Sequence, residues 1–295
     1  MRVNPNTSND LLQALQRTEK EAETALLQVS SGHRVNKPSD DPTAAAVLVG
    51  NHARADQTDQ YLRSITSIQG ELRTADATLN SVVTALQRAI SLGVQGANGT
   101  LSDANRNSLA DDLTGIQAQL VGIANLSFQG RFVFAGTNSK TTPFVLDATQ
   151  LSGVRYDGNA GVNSVAVGEG FQLQVNVPGS QLFSDPGAPV FQAIQDLITS
   201  LQNNIGIDAA VTGVRAAFDH VTTQRVFYGN ALNQLESQQT FLGSVKLQLA
   251  TEEDKVGGTD LAAALSRLSD AENARTATLQ AAGQIARVNL FDFLK

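Results

Sequence analysis

Residues Ile207 to Val256 read IDAAVTGVRAAFDHVTTQRVFYGNALNQLESQQTFLGSVKLQLATEEDKV, with Ile207, Val214, Val221, Tyr228, Leu235, Leu242, Leu249 and Val256 at every seventh position. Seven residues fall slightly short of two α-helical turns, so such a seam stays on one face only if the helix supercoils against another. Val211, Phe218 and Leu232 widen the stripe, whereas Arg225, Gln239, Lys246 and Glu253 make it more polar further along. No proline follows Pro189, so nothing of that kind interrupts the helix.

A partner lies in the other proline-free stretch, Thr43 to Thr142. There Tyr61, Ile65, Ile68, Leu72, Ala75, Leu79, Val82, Leu86 and Ala89 alternate steps of four and three, which is again a coiled-coil seam. The two long helices are expected to bury each other. Asp40-Asp41-Pro42 marks the start of the first, with acidic capping side chains before a proline at the first helical position. Gly93, Gly96 and Gly99 are expected to end it, for a length of roughly 75 to 80 Å. Ser102-Asp103 then caps a third helix bearing Leu109, Leu113, Ile116, Leu120 and Ile123.

Towards the chain ends the apolar stripes thin out. Leu12, Leu15, Ala22, Leu26 and Val29 predict an amphipathic helix that stops at Ser30-Ser31-Gly32. Gly257-Gly258-Thr259-Asp260 predicts a break and a new cap before a final Ala-rich helix ending in Asn289-Leu290-Phe291-Asp292-Phe293-Leu294-Lys295. Both terminal helices look short of partners within one chain. They are expected to pair with each other and with neighbouring copies in a heterologous, helical assembly. The expected assembly residues are Leu12, Leu15, Leu26, Val29, Leu279, Ile285, Leu290, Phe291, Phe293 and Leu294.

Between the helical arms the composition changes, since eight of the fifteen aromatics fall between Phe128 and Phe191. Phe171, Leu173, Val175 and Val177 alternate with polar residues as in a half-buried strand. Asp157-Gly158 and Gly168-Glu169-Gly170 are expected hairpin turns. The fold class is therefore mainly α: an elongated helical bundle or coiled coil formed by both chain ends, with a small inserted β domain that packs around its own core. The expected divisions are 1–32 and 259–295 for the terminal helices, 33–127 and 190–258 for the bundle, and 128–189 for the insert. A short helix from Val190 to Leu201 leads back into the second arm.

Chemistry-bearing motifs are missing. The net charge of −7 and pI near 5.0 supply no electrostatic footprint for nucleic acid or an anionic membrane. There is no cysteine, so no disulfide, thiol nucleophile or thiolate metal site. His33, His52 and His220 have no second histidine or carboxylate at metal-ligand spacing. Asp40-Asp41 reads as a helix cap and Gly168-Glu169-Gly170 as a turn. No enzyme, cofactor or metal is expected. The polar start without an apolar h-region predicts no cleavable signal, and no apolar run reaches the length of a membrane span.

Val29-Ser30-Ser31-Gly32-His33-Arg34-Val35-Asn36-Lys37-Pro38-Ser39-Asp40-Asp41-Pro42 closely resembles the amino-terminal motif of the flagellin family, S-S-G-x-R-[IV]-N followed by S-D-D-P. Gly130 to Thr137, Thr142-Pro143-Phe144, Val154 to Gly158, Val177-Pro178-Gly179 and Leu290 to Leu294 are similar to the junction branch of that family. The resemblance implies a structural adaptor of the bacterial flagellum, joining the hook-associated zone to the filament. The implied partners are hook-associated protein 1, flagellin, copies of the chain itself in a helical ring, and an export chaperone over the carboxy-terminal helices. It further implies type III export to an extracellular location, with residues 1–32 and 259–295 in an inner coiled-coil layer and the β insert outside. A short filament flagellin, or a secreted coiled-coil protein with a binding module in the insert, is the alternative reading.

Overall fold

The computed structural model describes residues 7–293, with side chains for 9–284. In order the chain forms α1 (Thr7–Ser31), α2 (Pro42–Gly96), α3 (Asp103–Ala124), β1 (Ser127–Phe128), β2 (Arg131–Phe132), β3 (Phe144–Leu146) and β4 (Val154–Tyr156). It continues with β5 (Ser164–Gly168), β6 (Phe171–Gln174), α4 (Gly179–Phe183), α5 (Val190–Asn203), α6 (Ile207–Gly257) and α7 (Leu261–Phe293). It is mainly α, with three two-stranded antiparallel sheets, β1-β2, β3-β4 and β5-β6. Two compact units result: Met1–Gln57 with Ser244–Lys295, and Thr58–Gly243.

Within the second unit the two predicted seams are buried. Ile65, Leu72, Ala75, Leu79, Val82, Leu86 and Ala89 of α2 lose all solvent contact, as do Val214, Val221, Tyr228 and Leu235 of α6. Leu113 and Leu120 of α3 and Ile194 and Leu197 of α5 complete the same core. Two polar interruptions of the α6 seam, Arg225 and Gln239, find partners on α2. The Arg225 guanidinium donates from Nε and Nη2 to the Asp76 carboxylate at 2.9 and 3.2 Å, and from Nη1 to Asn80 at 3.0 Å. Gln239 accepts from Gln69 at 3.1 Å. A bidentate, directional pair inside an apolar seam fixes the register in which the helices slide together.

Gly93 does not end α2. It lies buried inside the helix, where an added Cβ would meet Val211 at 2.6 Å and Leu197 at 3.1 Å. The glycine is there for close approach, and its helix penalty of about 1 kcal/mol is offset by that packing. The helix stops at Gly96. Ser102 caps α3 as expected, its hydroxyl accepting from the Asn105 N–H at 3.3 Å.

The buried side chains of the β segment, among them Phe134, Phe144, Val167 and Leu173, belong to the same cluster as those of the helices. The strands are two to five residues long, too little surface to close around themselves, and they lay their apolar side chains on the helices. Phe144 is buried with its ring centroid 4.9 Å from Tyr156, 5.2 Å from Phe183 of α4 and 5.3 Å from Phe191 of α5. Asn125, just past α3, accepts from the Phe144 N–H at 2.9 Å and donates to its carbonyl at 2.7 Å, strapping β3 to the helix end. The Glu169-Gly170 turn joins β5 and β6 as predicted, with Gly170 at φ +70°. Asp157-Gly158, by contrast, joins no paired strands. β4 pairs back on β3 through a loop closed by Gly153 at φ +69°, and Gly158 leaves room for the Tyr156 ring.

Candidate assembly interface

In the first unit the Ser30 to Pro42 stretch is built around backbone groups. Gly32 ends α1 at φ +73°, its N–H bonded to Gln28 at 3.0 Å, and the chain turns to meet the break between α6 and α7. There Arg34 N–H donates to the Gly257 carbonyl at 2.6 Å, Thr259 N–H donates to the Gly32 carbonyl at 3.1 Å, and His33 pairs with Gly258. The Arg34 side chain bridges from Nη2 to the Val256 carbonyl at 3.0 Å and to Asp41 Oδ2 at 3.1 Å. Both chain arms are thus held in one clasp.

Asp40 and Asp41 serve that clasp. Asp41 Oδ1 accepts from the Ala44 N–H at 3.0 Å, as an N-cap does, and Asp40 Oδ2 accepts from Asn36 and Lys37 N–H at 3.0 and 2.8 Å. The Ala44 N–H first, and then the Arg34 guanidinium, hold the Asp41 carboxyl below its usual value. An acid with a depressed folded-state pKa contributes its stability above its unfolded value, about 3.9, and loses it as pH falls through the lower folded value. Melting temperature should therefore decline below pH ~4 less steeply in Asp41→Asn, which still caps but does not titrate. Equal slopes in thermal melts would remove Asp41 from the acid response.

From the clasp, α1 and α7 run back along each other. Arg275 on α7 lies 3.5 Å from Glu19 on α1, well away from the connection, so the pair is antiparallel. Its seam is made of small residues: Ala25 on α1 and Ala264 and Ala271 on α7 are buried, together with Gln28. Leu15 and Val29 are half-buried beside it. Leu12 and Leu26 are not in the seam; they are 56% and 55% exposed, and Leu279 is 49% exposed. At 100° per residue, Leu12, Leu15 and Leu26 share one flank of α1, and Leu261, Leu265 and Leu279 share one flank of α7. Antiparallel packing brings the two flanks to the same side of the pair, so the leucines form a single outward stripe. The opposite side is a charged groove of about 600 Å³ lined by Arg17, Lys20, Glu21, Gln28, Arg267 and Asp270. Leu265, 53% exposed, was not expected from sequence, since only the packing of α7 on α1 tells which leucines are left out. Ile285, Leu290, Phe291, Phe293 and Leu294 lie outside the described side chains.

Two of the three histidines have an ordinary side-chain neighbour, His52 3.3 Å from Glu253 and His220 Nε2 2.9 Å from the Gln181 carbonyl, and His33 takes part in the clasp through its backbone. Among the described residues, no cluster of metal-ligating side chains exists and no helix is long and apolar enough to cross a membrane.

The family model for the bacterial flagellin N-terminal helical region matches residues 3–139. The flagellar hook-associated protein 3 of Salmonella typhimurium is 31% identical over 236 residues, covering 71% of this chain and 73% of its own length. The chain belongs to the flagellar hook-associated protein 3 family. Flagellin A of Vibrio cholerae is 32% identical over 143 residues, 46% of this chain and 37% of its own, and the flagellin of Bacillus subtilis is 25% identical over 299 residues, 93% of this chain and 89% of its own. The solved hook-associated protein 3 of Legionella pneumophila superposes with a TM-score of 0.64 at 15% identity, covering 70% of this chain and 98% of that one, and so shares the fold. As a hook-associated protein 3 family member, the chain is a structural component of the bacterial flagellum.

Proposed function

We propose that this chain is the adaptor joining the hook-associated zone to the flagellar filament, assembling through its terminal helices. The observation that carries the reading is the division of labour on α1 and α7. Alanines close the pair internally, while Leu12, Leu26, Leu265 and Leu279 face outward in one stripe. Leucines left half-exposed along a helical hairpin mark a surface that another chain covers. Copies of the chain in a helical ring would supply lateral neighbours, with hook-associated protein 1 on one side and flagellin on the other. Leu15, Val29, Ile285, Leu290, Phe291, Phe293 and Leu294 are assigned to assembly in this reading from the sequence pattern alone. The protein would act extracellularly after type III export, with a chaperone covering the carboxy-terminal helices beforehand, and it would perform no catalysis.

An adaptor presents different surfaces to its two neighbours and therefore does not polymerise indefinitely by itself. Electron microscopy of the purified protein, under conditions that polymerise flagellin, should show no long filaments. Long, regular self-filaments would sink the adaptor reading in favour of a short filament flagellin.

A further inference from the structure

Asn98-Gly99 is the only Asn-Gly pair in the sequence. It sits in the exposed turn between α2 and α3. Asn98 Oδ1 accepts two hydrogen bonds from one residue, the Thr100 N–H at 3.1 Å and the Thr100 Oγ–H at 2.9 Å. The turn is pinned on both sides, since Asn98 N–H donates to the Gln95 carbonyl at 3.2 Å and Asn98 O accepts from Leu101 N–H at 3.0 Å. Among the described residues the Gly99 N–H, adjacent to the side-chain amide in the chain, donates to no protein group, and a Cβ added at Gly99 would meet nothing within 4 Å.

We propose that Asn98-Gly99-Thr100 is a self-modification site, at which the Asn98 side-chain amide converts spontaneously to aspartate and isoaspartate. Water or hydroxide removes the Gly99 amide proton, and the nitrogen attacks Cγ of Asn98. Charge develops on Oδ1, where the two Thr100 donors already point, so they stabilise the tetrahedral intermediate as an oxyanion hole does. The intermediate collapses by breaking the Cγ–Nδ2 bond, and Nδ2 leaves as ammonia with a proton from water. One water then opens the resulting succinimide at either carbonyl, giving aspartate if it adds at Cγ and isoaspartate if it adds at the main-chain carbon. The net change is loss of ammonia and gain of water, with no oxidant. Glycine has no Cβ to obstruct the ring closure. The product places a negative charge beside the C-terminal end of α2, which the helix dipole disfavours, so the modification would loosen this connection with age.

The test is incubation of the full-length protein in mildly alkaline and mildly acidic buffer, followed by peptide mapping that separates the asparagine, aspartate and isoaspartate forms. Asn98 should convert faster at alkaline pH and well ahead of Asn138, which also lies in an exposed turn but precedes Ser139. Gly99→Ala should suppress the conversion. Thr100→Val should slow it roughly fivefold or more, the value of at least one hydrogen bond of about 1 kcal/mol to the charged intermediate. Conversion at Asn98 no faster than at Asn138 would overturn the site. So would a Thr100→Val rate equal to or above that of the unmodified sequence, because the threonine would then have no part in it.

Discussion

Replacing Leu12, Leu26, Leu265 and Leu279 together by glutamine should abolish incorporation into flagella while leaving the isolated protein folded. Glutamine matches leucine closely in helix propensity, and none of the four sits in the alanine seam, so each change should alter monomer stability by no more than about 0.5 kcal/mol. In an assembly the balance differs. Each leucine has about half its surface still to bury, worth about 0.75 to 1.5 kcal/mol on the usual scale for a full leucine. Four together amount to about 3 to 6 kcal/mol per contact, or a 10²- to 10⁴-fold weaker association. The variant should be secreted with unattached flagellin, leaving hooks without filaments in electron micrographs, and should melt within a few degrees of the parent. Normal filaments would show that the stripe is not the assembly surface. A much earlier melt would show that the leucines belong to an internal core.

The second large effect is expected at Phe144→Ala. This ring stands between β4, α4 and α5, and its removal leaves Tyr156, Phe183 and Phe191 facing a void. Truncating a buried phenylalanine costs about 3 to 5 kcal/mol, which in a unit of this size corresponds to a loss of roughly 10 °C in melting temperature. The far-ultraviolet helix signal should melt with the β segment in one transition, because the strands share the helical core. Exchanging residues 140–180 for a Gly/Ser linker should be more damaging still, since Tyr156 and Leu173 would go as well. Two separate transitions, with the helical one unmoved, would mean that the β segment does have a core of its own.

What could be read from the residues was what periodicity and capping encode. The α2 and α6 seams are legible because Ile65 to Ala89 and Val214 to Leu242 repeat at helical steps, and the caps at Asp41 and Ser102 because their side chains carry the signal. Gly93 was misleading because the demand for it comes from Val211, more than a hundred residues away, and a glycine looks the same whether it ends a helix or admits a neighbour. Asp157-Gly158 has the composition of a hairpin turn, yet β4 had already found its partner in β3. At the proposed assembly surface, Leu12, Leu15, Leu26 and Val29 read as one stripe in the sequence. Only the antiparallel seat of α7 separates the half-buried pair from the exposed pair. The clasp is largely invisible to side-chain patterns, since most of it consists of backbone groups of Gly32, Arg34, Gly257 and Thr259.

That clasp also orders events in time. The contact of Arg34 with Val256 spans 222 positions of sequence, and a loop that long carries a large closure entropy before any bond repays it. A chain that emerges amino-terminus first presents α1 when its partner does not yet exist, so the hairpin of terminal helices is completed only after nearly the whole polypeptide is available. Until then the Ala25 face and the leucine flank of α1 are both open, and the growing chain has no means of displaying a finished interlocking surface. The knot that ties the two ends together thus works as a proof of completeness: a truncated chain lacking Gly257 to Thr259 could never present the paired helices to a neighbour.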